Sequence, residues 1–448
     1  MRRLTDQQVD RIAQELAGRL GAGTPSATSP AQTGYTAPMG VLAAPAAMVD
    51  PALMSRHGEG DGVFNTIDNG IEAARTAFTS LNAATLAKRT EIIAAIRETM
   101  LREGDDLARQ AWQETGLGRY EDKVIKNRLV TEKTPGTEAL RPETTTGDNG
   151  LTLMEWAPFG VIGAITPTTN PTSTIICNSI GMLAAGNSVV FNVHPGAAAC
   201  SMATVRLLNR AIVSVGGPAN LVTAIAQPTI ESATELMHHK GINLLVVTGG
   251  PGVVKAAMKS GKRSVSAGPG NPPAVVDETA DLAKAGRDIV TGASFDNNVI
   301  CVDEKQVFVV ASVADELLKQ MGANGAYLVD QSELRRLEKV IFDEFPGPRT
   351  HGTINKKWVG KNADVILAEI GVRVGPEVRL VIADVPEDHP LVWSEQLMPV
   401  LPVVRVSDVN RAIDLARESE HGFGHSASMH SRNIENLSRM ARTINTSI

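Results

Sequence analysis

Residues 242–263 read "INLLVVTGGPGVVKAAMKSGKR". A short run of leucine and valine is closed by Gly249, Gly250 and Gly252, and apolar residues at helical spacing follow. Read in that order, the run is a buried strand, the glycines form a tight turn, and the remainder is a helix. Similar β-rich runs recur as "NSVVFNV" (187–193), "ANLVTAIA" (219–226), "NPPAVVD" (271–277), "KQVFVV" (305–310), "RLVIADV" (379–385) and "LPVVRV" (401–406), alternating with helical patterns. Alternation of this kind argues for βαβ units, hence for an α/β chain whose parallel sheets are covered by helices. Upstream, helical stretches at about 66–117 precede the strand-like "GLTLMEWAPFGVIGAITP" (150–167), and no internal repeat is present.

The 448 residues suggest two or three domains with ample chain for large cores. The three cysteines, Cys177, Cys200 and Cys301, are odd in number and lack C-x-x-C spacing. Neither a disulfide framework nor a metal cluster is indicated, and a reducing, intracellular compartment fits best. A net charge of −6 with mixed signs and only 4% aromatic residues argue against a nucleic-acid partner. The apolar runs are too short to span a bilayer, so no membrane partner is expected.

Residues 1–20, "MRRLTDQQVDRIAQELAGRL", place Leu4, Val9, Ile12, Ala13, Leu16 and Leu20 near helical spacing, with polar residues opposite. They form one amphipathic helix without the h-region of a secretory signal, and Asp6, Asp10 and Glu15 are foreign to a mitochondrial presequence. Residues 21–60 are rich in Gly, Ala, Ser, Thr and Pro and read as a flexible linker. A tethered helix suits contact with a partner, the alternative being an ordinary docked N-terminal helix.

Three stretches carry chemistry. The glycine turn at 249–252 would let phosphates approach backbone N–H groups at a helix start, although tight βα turns commonly carry glycine. In "ITPTTNPTSTI" (165–175), Asn170 could donate an N–H to a developing oxyanion, or the segment is turn chemistry alone. In "SFDNNVICVDEKQVFVV" (294–310), Cys301 follows Asn297 and Asn298. It is either a packed core thiol or a nucleophile in a polar, partly open site.

Together, "ITPTTNPT" (165–172), "TGGPGVV" (248–254), "SAGPGNPPAVVDETAD" (266–281), "GASFDNNVICVDEK" (292–305) and "SEQLMPVLPVVRV" (394–406) stand in the order and approximate spacing of the aldehyde dehydrogenase superfamily. More narrowly, residues 61–448 resemble its coenzyme A-acylating branch, in particular the bacterial microcompartment enzymes that process propanal or acetaldehyde. The resemblance implies two parallel-sheet α/β domains: an NAD/CoA-binding domain over 61–268, with a small oligomerisation hairpin at about 141–157, and a catalytic domain over 269–448. It also implies a homo-oligomer, dimer or tetramer, and a C-terminal return segment that is missing after "TINTSI".

By resemblance, Cys301 is the nucleophile. Its thiohemiacetal passes hydride to NAD and becomes a thioester, with the oxyanion held by the Cys301 backbone N–H and the Asn170 region. Acid-forming relatives place the asparagine one position earlier, where this chain has Thr169. They also carry a glutamate that activates water, at about the position of Ser266. Without that base the thioester is expected to await coenzyme A and leave as acyl-CoA. Glu395 corresponds to the carboxylate that holds the nicotinamide ribose, and Leu397 stands where many relatives have phenylalanine. Pro167, Thr248, Gly249 and Gly250 belong with the cofactor contacts. The adenosine-ribose lysine is absent, leaving Asn192 and His194 nearby, with a turn-capping role as the alternative for His194. Lys255, Lys259, Lys262 and Arg263 could meet coenzyme A phosphates or form a solvated helix face. His425 and His430 match a branch pattern without an assigned role. Residues 1–20 match the targeting helices that dock such enzymes to shell or cargo proteins inside a cytoplasmic microcompartment. The expected reaction is propanal, NAD and CoA to propanoyl-CoA and NADH. Acetaldehyde as main substrate and a catalytically silent scaffold are the alternatives.

Overall fold

A computed structural model describes residues 61–448; the expected N-terminal helix and linker lie outside them. After β1 (Val63–Phe64), three helices follow: α1 (Ile67–Asn82), α2 (Leu86–Thr115) and α3 (Tyr120–Lys133). Their boundaries are written in the chain. Thr66 and Thr85 accept from Asn69 N and Lys88 N at the first turns of α1 and α2. α2 stops where Gly116 turns left-handed at φ 63°. An antiparallel hairpin of β2 (Glu143–Gly147) and β3 (Gly150–Met154) comes next. The strand-like stretch 150–167 is therefore two elements, β3 and then β4 (Val161–Ile165), broken at Pro158 and Gly160.

β4 opens a run of βα units: α4 (Pro171–Ala184), β5 (Ser188–Asn192), α5 (Ala198–Ser214), β6 (Val222–Ile225), α6 (Ile230–His238), β7 (Leu244–Thr248), α7 (Pro251–Lys259) and β8 (Ser264–Ala267). The six strands form a parallel sheet in the order β1-β6-β5-β4-β7-β8. Both faces are covered, as the two-residue period of its strands requires. Ile162 and Ala164 pack with α2, α4 and α5, whereas Val161 and Ile165 pack with α1 and α6.

The second sheet uses β9 (Pro273–Val276), β10 (Gln306–Val310), β11 (Ala326–Leu328), β14 (Leu380–Val385), β15 (Val400–Val406) and β16 (Ser428–His430). It is likewise parallel, in the order β11-β14-β15-β10-β9-β16. β12 (Phe342–Glu344) and β13 (Thr353–Ile354) form a small antiparallel pair beside it. Helix α8 (Leu282–Ser294) runs from β9 toward β10. Val275 faces one core cluster, while Ala274 and Val276 face the other. No helix among the described residues is long and apolar enough to cross a membrane.

Candidate active site

Three of the first sheet's strands end side by side. Ile165 pairs with Asn192 and also with Val247, which puts Pro167–Asn170, His194 and Thr248–Gly250 along one carboxyl edge. From β4 the chain steps outward to β5 and β6, then returns to β7 on the other flank. Ligands of open α/β sheets bind in the crevice at such a reversal. At the start of α7, a Cβ added to Gly250 would meet nothing within 4 Å. That open turn, capped by Pro251 at the first helical position, fits the phosphates of a dinucleotide.

The second sheet presents its opposite edge. Gly270 leads into β9, Cys301 into β10, Glu395 and Leu397 into β15, and His425 into β16, four neighbouring strands. The four leaders touch. A Cβ on Gly270 would lie 2.8 Å from the Cys301 carbonyl oxygen and 3.0 Å from the His425 ring, so only glycine lets them approach. Glu395 Oε1 accepts from Gly270 N at 3.3 Å. Leu397 is held left-handed at φ 53°, uncommon for leucine, with its carbonyl accepting from Gly360 N at 2.9 Å. Cys301 is half-buried, Cys177 likewise, and Cys200 is buried on α5.

The polypeptide reaches Cys301 through a left-handed turn: Asp296, Asn297 and Asn298 have φ of 46°, 55° and 61°. Asparagine and aspartate tolerate that region best, and every side chain of the turn is anchored. Asn297 Nδ2 donates to Gly360 O and Asn362 Oδ1, and its Oδ1 accepts from Arg119 Nε. Asn298 Nδ2 donates to Ala293 O and Glu304 O. Asp296 is fully buried and accepts from Arg119 N, Lys123 Nζ at 3.0 Å and Lys126 Nζ.

Helix α3 therefore grips the turn. Its Lys126 also donates to Asn170 Oδ1 at 2.5 Å, and Lys123 donates to Thr169 O at 3.3 Å. Asn170 sits at the N-cap of α4 yet makes no capping bond. Its amide instead lies between Lys126 and Thr169 Oγ1, to which Nδ2 donates at 3.1 Å. Plain turn chemistry would have used that side chain as a cap.

Burial pushes the Cys301 thiol up; Lys305 opposes the rise, while Glu395 and Asp303 add to it. Burial likewise raises Glu395, against Lys305 and the Gly270 N–H. Asp303 is pushed up to about 8 by burial and so keeps its proton at neutral pH. Burial, then Lys305, lowers His425, which stands as a neutral imidazole beside Cys301. Ser266, on the edge strand β8, brings no carboxylate to the site.

His194 is exposed on the same carboxyl edge, its Nδ1 accepting from Gly196 N at 3.0 Å as a turn cap does. Asn192 is tied to Ser232 and Thr229. Lys255 and Lys259 are exposed along α7, Lys262 donates to Ile242 O, and Arg263 lies over the Phe159 ring. His430 lies at the far end of β16 near Lys284 and Asp288.

Lys126, Lys305 and Asp303 had no place in the sequence reading. A signal existed for the first. In "YEDKVIKN" (120–127), Ile125 is exposed while Lys123 and Lys126 are buried, an inversion visible only as a helix whose apolar stripe is weak.

The chain belongs to the aldehyde dehydrogenase family, whose profile matches residues 62–448. Among its relatives is the "Acetaldehyde dehydrogenase (acetylating) EutE" of Escherichia coli, 50% identical, the alignment covering 86% of this chain and 82% of that protein. The propionaldehyde dehydrogenase of Rhodopseudomonas palustris with bound propionyl-CoA superposes with a TM-score of 0.83 at 48% identity, covering 87% of this chain and 85% of the other. A second structure of that enzyme holds CoA and an acylated cysteine. The propionaldehyde dehydrogenase from the fucose utilisation microcompartment of Clostridium phytofermentans gives a TM-score of 0.82 at 43% identity, covering 86% and 87%.

Proposed function

We propose that this chain is a CoA-acylating aldehyde dehydrogenase converting propanal, NAD and CoA to propanoyl-CoA and NADH. The observation that carries the reading is Cys301 on its anchored turn, with Asn170 tied to that turn through Lys126 and no carboxylate at Ser266. The Cys301 sulfur, as thiolate, bonds to the aldehyde carbon, and the carbonyl electron pair moves onto oxygen. The Cys301 backbone N–H and the Asn170 amide receive that oxyanion. When the oxyanion collapses, the C–H pair leaves as hydride and a thioester remains on Cys301; the residues at the first sheet's carboxyl edge would hold NAD, which would supply the hydride acceptor. Pro167, His194, Thr248, Gly249, Gly250 and Leu397 would line the cofactor side, Glu395 would face the nicotinamide ribose, and Thr169 stands with Asn170 at the oxyanion. His425, neutral and beside Cys301, takes the proton of the incoming CoA thiol, whose sulfur displaces Cys301.

Acetaldehyde is the second reading, supported by the acetylating relative at 50% identity. One methylene changes discrimination by only about 1–3 kcal/mol. The relative from a bacterial microcompartment supports the same setting here, and the amphipathic pattern of residues 1–20 is what supports docking to shell or cargo proteins in the cytoplasm. Purified protein given propanal and NAD should make NADH in a CoA-dependent way, and Cys301→Ala should abolish turnover while melting as the parent does. Sustained NADH formation without CoA, well beyond the single burst that acylates Cys301, or full turnover by Cys301→Ala, rejects the reading. Comparison of C2 to C4 aldehydes ranks the substrates.

A further inference from the structure

Both amides assigned to the oxyanion have a second partner on their far side. The Cys301 N–H belongs to the peptide unit of Ile300, whose oxygen accepts from Lys305 Nζ at 2.9 Å. The Asn170 side-chain amide ends in Oδ1, which accepts from Lys126 Nζ at 2.5 Å. Lysine meets each amide at its oxygen, the end away from the nitrogen; Asn170 Nδ2 gives one of its two protons to Thr169 Oγ1 and has a second for the oxyanion.

Both lysines are buried, at 0% and 7% exposure for Lys305 and Lys126. Lys305 makes no ion pair among the described residues. Its three hydrogen bonds go to Asn298 O, Asn298 Oδ1 and Ile300 O, and only an ammonium has three protons to give. Holding an unpaired ammonium in a protein interior costs several kcal/mol. A methionine would fill the space, and the turn already has its own anchors in Asn297 and Asn298. An amide is a conjugated unit, so a cation at its oxygen draws electron density from nitrogen and makes the N–H a stronger donor.

We propose that Lys305 and Lys126 are positioning residues that polarise, from behind, the two amide donors of the oxyanion site. The proposal rests on the assignment of Cys301 as nucleophile. It gives a twofold hole in which each neutral donor is backed by a buried cation.

Isotope-edited infrared spectroscopy of the full chain, acylated on Cys301 with carbonyl-labelled propanoyl groups, reads donor strength directly. Mass spectrometry first establishes the adduct; its absence overturns the nucleophile assignment and this proposal with it. With the adduct present, the parent carbonyl band should lie below that of the same thioester in water. Lys305→Gln and Lys126→Gln, neutral but still able to donate, should each move it back toward the water value. Each should lower kcat on the order of tenfold, a fraction of the effect of losing a donor outright, with KM for aldehyde held within about twofold. A parent band at the water position overturns the proposal. So does a glutamine variant with lowered kcat and an unmoved band, which marks the lysines as supports of the turn only. Should one variant fail to fold, the parent band and the other variant decide.

Discussion

Asp303 lies two residues beyond Cys301, and the folded chain pushes its carboxyl up to about 8, from about 4 for an exposed aspartate. Burial is the main cause, with Lys305 and Lys126 pulling the other way and Glu304 adding to the rise. Between those values the unfolded chain has lost a proton that the native chain keeps. Stability from this group is therefore full below about pH 4 and declines as pH rises to about 8. Glu304, pushed up to about 6, adds to the lower part of that window. Asp303→Asn keeps an oxygen to accept the Ile300 N–H and removes the titration. Its melting temperature should fall less than the parent's between pH 5 and pH 8, by roughly the slope of one proton; parallel curves reject the assignment. Of the candidate site, Cys301 and Glu395 are legible in the sequence because each sits in a distinctive string, "NNVIC" or "SEQLMPV". Lys305 is not, because a lysine at the mouth of a β-rich run reads as a solvated strand end, and only the fold shows its ammonium turned back under the turn.

At the scale of elements, α3 is the least conventional piece. Asp122, Lys123, Lys126, Asn127 and Thr131 are buried, while Ile125 and Leu129 are exposed at 53% and 51%. Periodicity finds helices by their apolar stripe, so α3 passes as an ordinary surface helix and its polar inner face goes unread. The strands were easier: their β-branched runs between glycines and prolines place the four inner strands of each sheet, while the short edge strands β1, β8, β11 and β16 go unread. What periodicity could not show is that Gly118, just before α3, has φ 75° and that a Cβ there would collide with the Asp296 carboxylate. Gly118→Ala should cost about 2 kcal/mol or more of stability, seen in urea unfolding. It should also slow iodoacetamide labelling of Cys301 in the folded protein. A variant that unfolds and labels like the parent breaks the link drawn between that loop and the turn.

At the scale of the molecule, the β2–β3 hairpin stands clear of both cores. Leu151 and Leu153, exposed at 68% and 56%, share one face of a two-stranded ribbon that is marginal alone, and Trp156 is exposed at 77% just beyond it. We propose that a second copy of the chain covers it. Leu151→Glu combined with Leu153→Glu should lower the sedimentation coefficient to that of a smaller species while leaving far-ultraviolet circular dichroism unchanged. Sedimentation like the parent removes the hairpin from assembly.

The grip of α3 on the cysteine turn bears on how the protein is made. Residues 120–133 are synthesised well before Cys301, yet they supply the ammonium groups that hold Asp296 and Asn170. A nascent or half-unfolded polypeptide thus carries Cys301 as a common thiol, and the ammonium groups of α3 join it to Asn170 only once the chain has closed over both.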